Sequence, residues 1–338
     1  MRAAVWYGKK DIRIEDVSKP TVGPGEVLIK VKAAGLCGTE LHAYEGVSRR
    51  RRPPLIMGHE FAGVVEEVGT GARGVAIGDR VAVNPDAPCG ACDECQSGRT
   101  NTCRARQHVG IDFPGAFAEY AKVPDRVCFK LLDEIQFKEA TLAEPLSIGT
   151  HTAALAEATG KDTVLILGSG PIGLSCLIAV RDTAKMTIVA DTLDSRLKFA
   201  KMLGADITID ASRTNIASEV RHVTSGKCAA IAIEAVGLEK TVGQSIASVG
   251  NAGKVVIVGL LDETARVNLL DIVLRQIGLK GSYGRTNQEF LRALELLRRD
   301  LRNISRLITH TYSLDQVSEA FETMSTDKRT AMKIVLTP

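Results

Sequence analysis

The apolar run Thr163-Val164-Leu165-Ile166-Leu167 passes directly into Gly168-Ser169-Gly170-Pro171-Ile172-Gly173, and few folds accept that order. An unbroken aliphatic run of this length, bounded by a turn, suits a strand covered on both faces, as in a parallel sheet. Each glycine then has a separate duty. Gly168 permits a tight turn, Gly170 lets backbone approach a pyrophosphate, and Gly173 lets the following helix pack close to the strand. Pro171 and Ile172 open that helix, whose N-terminal N–H groups are left to bind phosphate. A glycine turn alone is weak evidence. Asp191 strengthens it, because it stands 21 residues beyond Gly170 at the end of the next apolar run. A carboxylate there accepts hydrogen bonds from a ribose diol and repels a 2′-phosphate, which favours NAD over NADP. Arg196 could accept that phosphate, stack on adenine, or face solvent.

From this turn onward strand and helix patterns alternate: a helix from 172 to about 183, strands at 186–190 and 207–209, a helix at 195–203, and strands at 229–235 and 254–258. Alternation of this kind predicts a doubly wound parallel sheet. Val258 and Leu260, at the end of the last strand, complete the expected nucleotide-binding set. The residues before about 150 read differently. Short runs at 27–32, 63–68 and 79–83 are broken by closely spaced glycines and prolines, the pattern of a small, mostly antiparallel barrel. From about 285 onward the sequence predicts helices at 288–299 and near 314–324, then a closing strand at 332–336.

A chain of 338 residues has room for two domains. Only 4% of residues are aromatic, so aliphatic cores are expected. The net charge of +3 is small and spread out, apart from Arg49 to Arg52, which argues against nucleic acid as a partner. That run reads either as a solvated loop or as a source of one arginine for a substrate phosphate or carboxylate. No apolar stretch is long enough to cross a bilayer, and charges interrupt the N-terminus where a secretion signal would be apolar. A cytoplasmic protein with no membrane partner is the expectation. Its eight cysteines then point to metal before disulfides.

Cys89, Cys92, Cys95 and Cys103 lie within fifteen residues. Four thiolates at that spacing can close a tetrahedral shell around one Zn²⁺ and leave no place for substrate, so the role is structural. An iron–sulfur cluster is the other metal reading. Cys128, Cys176 and Cys228 are isolated and read as small buried hydrophobes. Three further fragments carry possible chemistry: Gly35-Leu36-Cys37-Gly38-Thr39-Glu40-Leu41-His42, Gly58-His59-Glu60 and Glu144-Pro145-Leu146-Ser147. Together they offer a thiolate, an imidazole and carboxylates, a donor set suited to a catalytic zinc with an open position.

In combination these motifs resemble the zinc-containing medium-chain dehydrogenase/reductase superfamily along the whole chain. The resemblance implies an α/β protein: a GroES-like β-barrel catalytic domain (1–148 and 285–338) interrupted by a Rossmann NAD-binding domain (149–284). It implies two zinc ions per chain, NAD as cofactor, and a small-molecule alcohol as substrate. Cys37 and His59 would be catalytic zinc ligands, with Glu60 and Glu144 as candidates for the third place. Glu60 is expected to be the closer contact, since it adjoins His59. Thr39 would take the substrate proton and His42 would pass it to solvent, while the carbon gives hydride to NAD⁺. Relatives pair the edges of their nucleotide-binding sheets, so a homo-oligomer is expected, a tetramer before a dimer.

The substrate is less legible. Glu144 to Ser147 with Gly149 and His151 resembles sorbitol and other polyol dehydrogenases. Tyr283-Gly284-Arg285 resembles L-threonine 3-dehydrogenase, and Asp11 to Glu15 resembles 2,3-butanediol dehydrogenase. Tyr44 is expected to wall the substrate pocket. A nucleotide-sensing binding protein is the non-enzyme alternative, disfavoured because the ligand and relay residues are all present.

Overall fold

A computed structural model describes residues 1–48 and 50–338, and the chain divides into two compact units. One comprises Met1–Glu144 with Thr286–Pro338, the other Pro145–Arg285. Among the described residues no helix is long and apolar enough to cross a membrane.

In the first unit the long strand Glu26–Leu36 is the spine. Its apolar positions are buried almost throughout, because it pairs with Glu60–Val68 on one side and with Tyr120–Pro124 and Lys333–Thr337 on the other. Among the described residues these belong to a seven-stranded sheet that continues through Arg80–Val83 to Cys128–Lys130 and through Lys333–Thr337 to Ile308–Ser313. All its pairings are antiparallel except that of the last two strands. A three-stranded sheet of Asp11–Asp16, Arg2–Gly8 and Leu55–Ile56 accompanies it. The expectation of aliphatic cores needs correction here. Trp6, Tyr44, Phe61, Phe117 and Phe321 all lie in this unit's core, with the Tyr44 and Phe321 rings stacked at 4.6 Å.

The second unit does have an aliphatic core, of Leu, Ile, Val and Ala. Its parallel sheet runs in the order Ile207–Asp210, Met186–Asp191, Thr163–Leu167, Ala229–Glu234, Val249–Ile257, Gly278–Gly281. The chain starts in the middle, winds outward on one side and then resumes on the other, so the winding reverses between Thr163–Leu167 and Ala229–Glu234. Leu167 is in register with both Ala190 and Glu234, and Glu234 with Ile257. Gly168, Asp191 and Val258 therefore emerge on one edge, the carboxyl ends of the strands, where sheets of this kind bind ligands.

The glycine turn does what its sequence requires. Gly168 has φ of +90°, and the helix Pro171–Val180 begins with Gly170 as its N-cap. A side chain at Gly173 would strike the Gly168 carbonyl, so close packing of helix on turn excludes any other residue. Gly173→Ala should therefore lower stability by about 1–3 kcal/mol through overpacking and weaken dinucleotide binding. Thermal unfolding and dinucleotide titration check this, and an unchanged midpoint with unchanged affinity contradicts it.

Candidate metal centres and dinucleotide site

Cys37 directly follows the spine strand and caps the helix Gly38–Tyr44. The helix begins there because Glu40, at its third position, turns back to accept the Cys37 N–H at 2.8 Å. The other oxygen of the same carboxylate accepts the Gly58 N–H at 3.0 Å and lies 2.6 Å from His59 Nδ1. An ionised carboxylate only accepts, so Nδ1 carries the proton and Nε2 is left to bind a metal. Glu40 is completely buried. Burial alone would raise its pKa, but the neighbouring His59 and Arg51 charges and the Cys37 N–H hold it down at about 2.

Glu60 begins the next strand, directly across from Gly35. A Cβ at Gly35 would run into the Glu60 carboxylate, so the glycine makes room for it. Both Glu60 oxygens accept from the Lys333 ammonium, at 2.8 and 2.7 Å, and the pair is buried. Burial raises the Glu60 pKa, Lys333 opposes the rise, and Glu144 adds to it.

Donor atoms of Cys37, His59 and Glu60 all lie within 4.8 Å of one another, and Glu144 Oε1 stands 4.0 Å from His59 Nε2. Glu144 is in the first turn of the helix Ala143–Ala156. The structure thus brings Cys37, His59, Glu60 and Glu144 into one cluster. Charge supports a metal here. With Cys37 as thiolate and Glu40, Glu60 and Glu144 ionised, the buried cations Arg51 and Lys333 cancel half of the negative charge. A divalent ion cancels the remainder, and the thiolate, imidazole and carboxylate donors suit zinc.

Thr39 Oγ1 donates to Cys37 Sγ at 3.4 Å, beside the cluster. His42, one turn along the same helix, is half-buried, and burial lowers its pKa, leaving it neutral and able to accept a proton. Tyr44 is a correction to the sequence reading. It is 4% exposed, packed on Phe321, with its hydroxyl near Glu322, and so belongs to the core rather than to a pocket wall. The solvated-loop reading of Arg49 to Arg52 also fails at Arg51, which is buried against this cluster. Arg49 lies outside the described residues.

The four-cysteine loop folds around Cys92, which caps the short helix Asp93–Gln96. Sγ separations are 3.5 Å for Cys89–Cys103, 3.6 Å for Cys92–Cys95, 3.7 Å for Cys92–Cys103 and 3.9 Å for Cys89–Cys95. A regular tetrahedron with zinc–sulfur arms of about 2.3 Å has edges of about 3.8 Å. The backbone N–H groups of Ala91 and Cys92 pull the Cys89 thiol down to about 6, while burial and the neighbouring thiols push Cys95 up to about 12.

In the second unit Asp191 reaches back to the glycine turn, accepting from Ser169 N at 2.7 Å, Ser169 Oγ at 3.0 Å and Leu193 N at 2.9 Å. Arg196 lies over the turn, its Nη1 2.9 Å from where a Cβ of Gly170 would stand. Its Nε is buried with no hydrogen-bond partner among the described residues, which suits an anion at this place. Val258 is buried at the sheet's carboxyl edge, and Leu260 beyond it is 62% exposed.

Sequence reading gave no role to Glu40 or Lys333, and offered an arginine of the 49–52 run only as a substrate contact, not Arg51 as a partner of Glu40 and Thr39. Glu40 could have been found as the third residue of a capped helix start, and Lys333 as a lone cation inside the apolar closing strand. No local signal separates Arg51 from the other arginines of its run.

The chain matches two family models, an alcohol dehydrogenase GroES-like domain over residues 23–133 and a zinc-binding dehydrogenase domain over 171–299. It is 37% identical to an L-threonine 3-dehydrogenase of Pyrococcus furiosus, covering 97% of this chain and 95% of the relative. It is 33% identical to a sorbitol dehydrogenase of Bacillus subtilis, covering 100% and 97%. A zinc-binding dehydrogenase of Sinorhizobium meliloti 1021, solved with bound NADP, superposes with a TM-score of 0.92 at 30% identity, over 100% of this chain and 99% of that one.

Two outcomes follow from the clusters. Cys92→Ser should lower the zinc content by one ion per chain and lower the unfolding temperature, because a thiolate lost from a four-cysteine shell removes folding free energy. Full metal content with an unshifted midpoint would overturn the structural site. Glu60→Ala strands the buried Lys333 ammonium and should cost about 3–5 kcal/mol. Adding Lys333→Met should recover most of that loss in thermal unfolding, and a double variant no more stable than the single one contradicts the buried pair.

Proposed function

This chain belongs to the zinc-dependent medium-chain dehydrogenase/reductase superfamily, and we propose that it oxidises a secondary alcohol of the polyol or sugar-alcohol class, with or without a phosphate, using NAD. The observation that carries this reading is the Cys37, His59, Glu60 and Glu144 cluster with the Thr39 hydroxyl at its side. When bound there, zinc supplies Lewis acidity that makes a substrate hydroxyl easier to deprotonate. Thr39 takes the proton as it releases its own, which neutral His42 passes to solvent. Cys37 and His59 serve as ligands, with Glu60 as the closer carboxylate and Glu144 orienting the substrate oxygen. The four-cysteine loop holds a second, structural zinc.

Gly168, Gly170 and Gly173, with the helix start at Pro171 and Ile172, receive the pyrophosphate beside Arg196. Asp191 receives the adenosine ribose, and Val258 and Leu260 border the nicotinamide half. The solved relative with NADP makes the cofactor choice a real question, and the Asp191 carboxylate is the reason to expect NAD. Oxidation of L-threonine at its 3-hydroxyl is the second reading, favoured by the 37% identity to an archaeal enzyme of that name.

A homo-oligomer, a tetramer before a dimer, is part of this proposal. The edge strand Gly278–Gly281 is exposed along its length. Beside it in sequence, the helix Leu269–Leu274 exposes Leu269, Leu270, Val273 and Leu274 by 66–73%, more apolar surface than a free edge normally shows.

A panel of sorbitol and other polyols, sugar-alcohol phosphates, L-threonine and 2,3-butanediol, followed by NADH absorbance, tests the substrate. Polyols should turn over with the highest kcat/KM. Threonine ahead of them establishes the second reading. NAD⁺ should outperform NADP⁺, and Asp191→Ala should narrow the preference by about tenfold or more, the worth of one lost charge-assisted contact. Equal efficiency with both cofactors in the unaltered enzyme rules this assignment out.

A further inference from the structure

Arg51 is the unexpected member of the metal cluster. Its side chain is 3% exposed, and its guanidinium spans three acceptors. Nε donates to the Gly110 carbonyl at 3.2 Å, Nη1 to the Thr39 carbonyl at 3.0 Å, and Nη2 to Thr39 Oγ1 at 3.4 Å. Nη2 also lies 3.5 Å from His59 Nδ1 and 3.9 Å from Glu40 Oε1. Nδ1 already gives its proton to Glu40, so it offers Nη2 no lone pair, and the Thr39 hydroxyl is the acceptor that remains.

That bond restricts what the hydroxyl can do. A threonine oxygen has one proton and two lone pairs, and its proton ordinarily rotates to suit its surroundings. Here one lone pair faces Arg51, so the proton cannot turn that way. At rest it points toward the Cys37 side, the second lone pair is left for an incoming oxygen, and as that oxygen's proton arrives Oγ1 releases its own toward His42. The Nη1 bond fixes the Thr39 backbone at the same time. Because these donors are engaged inside the protein, Arg51 is not placed to grip a substrate phosphate or carboxylate.

We propose that Arg51 is a positioning residue for the proton relay, holding the Thr39 hydroxyl so that one lone pair faces the substrate oxygen while its own proton is free to leave toward His42. The proposal rests on the reading of Thr39 as the first relay group. The planar fork is essential to it, since a lysine ammonium keeps the charge but cannot bridge the Gly110 carbonyl, the Thr39 carbonyl and Thr39 Oγ1 together.

The test is a double-mutant cycle of Arg51→Lys and Thr39→Val in the zinc-loaded enzyme, with zinc content, unfolding temperature, kcat and KM measured for all four proteins. Arg51→Lys should keep both zinc ions and lower kcat by about 10- to 100-fold, within the range of relay effects, with KM changed by no more than about twofold. In the Thr39→Val background the same substitution should leave kcat nearly unaltered. Should Arg51→Lys not fold, Arg51→Gln takes its place in the cycle, and millimolar guanidinium should restore part of its kcat only where Thr39 is present. Equal fractional losses in both backgrounds, or loss of zinc on replacing Arg51, overturn the positioning role while leaving Thr39 in the relay. Full kcat in Thr39→Val alone removes the relay reading and this proposal with it.

Discussion

The buried pair between Lys333 and Glu60 ties together residues 273 positions apart, and the first unit is organised around that tie. Lys333 arrives on the closing strand, which pairs antiparallel with the Cys37 end of the spine strand. Glu60 arrives on the spine's other neighbour. Neither charge tolerates burial alone, because an unpaired ion in so dry a place costs several kcal/mol. The C-terminal segment must therefore return before the site's carboxylate is neutralised. The pair is therefore complete only when both stretches of the unit, Met1–Glu144 and Thr286–Pro338, are in place.

The same economy of charge runs through the rest of the cluster. Glu40 aligns His59 through Nδ1, and Arg51 sits behind Glu40 and Thr39. Two cations and four anions leave a deficit that matches one divalent ion. A site balanced in this way discriminates by charge before geometry enters. A monovalent ion would leave net negative charge in a dry pocket, and although burial opposes it, Glu40 and Cys37 raise the imidazole pKa well above its usual value, favouring a proton where the metal would bind. Metal entry must displace that proton, which couples occupancy to pH.

How much of this was legible in the sequence depended on whether a feature was local. The second unit announced itself because Thr163–Leu167 and the glycine turn are contiguous, and strands buried on both faces are aliphatic runs that need no partner to be recognised. The four cysteines were equally plain, being a closed shell within fifteen residues. By contrast, the strand Ile308–Ser313 was missed, since Thr, His and Ser half-exposed at a sheet edge give no period-two signal. The helix Ala143–Ala156 was missed because Glu144, Ser147, Thr150, His151 and Thr152 are mixed among its apolar residues and buried with them, so it lacks the one-sided stripe that marks a surface helix. In the site, Cys37, His59, Glu60 and Glu144 were recognisable by donor chemistry. Lys333 stood out only as a lone cation in an apolar strand, and its partner could not be named because that depends on which strand it lies beside. Tyr44 was misread for the same reason: adjacency to His42 in sequence says nothing about the opposite face of a short helix, where Phe321 waits.

The division between what each unit had to keep follows from these constraints. The nucleotide edge is built mainly of backbone and of short polar side chains, Ser169 and Asp191, so it can be specified within one βαβ segment. The metal cluster draws on five separate segments: the end of the spine strand, Arg51 before the Leu55–Ile56 strand, the start of Glu60–Val68, the helix carrying Glu144, and the closing strand carrying Lys333. No single motif can encode such a site. Its specificity for one alcohol over another must lie in side chains that surround these donors without belonging to any motif. The chemistry of the reaction is therefore easier to read from this chain than the identity of its substrate.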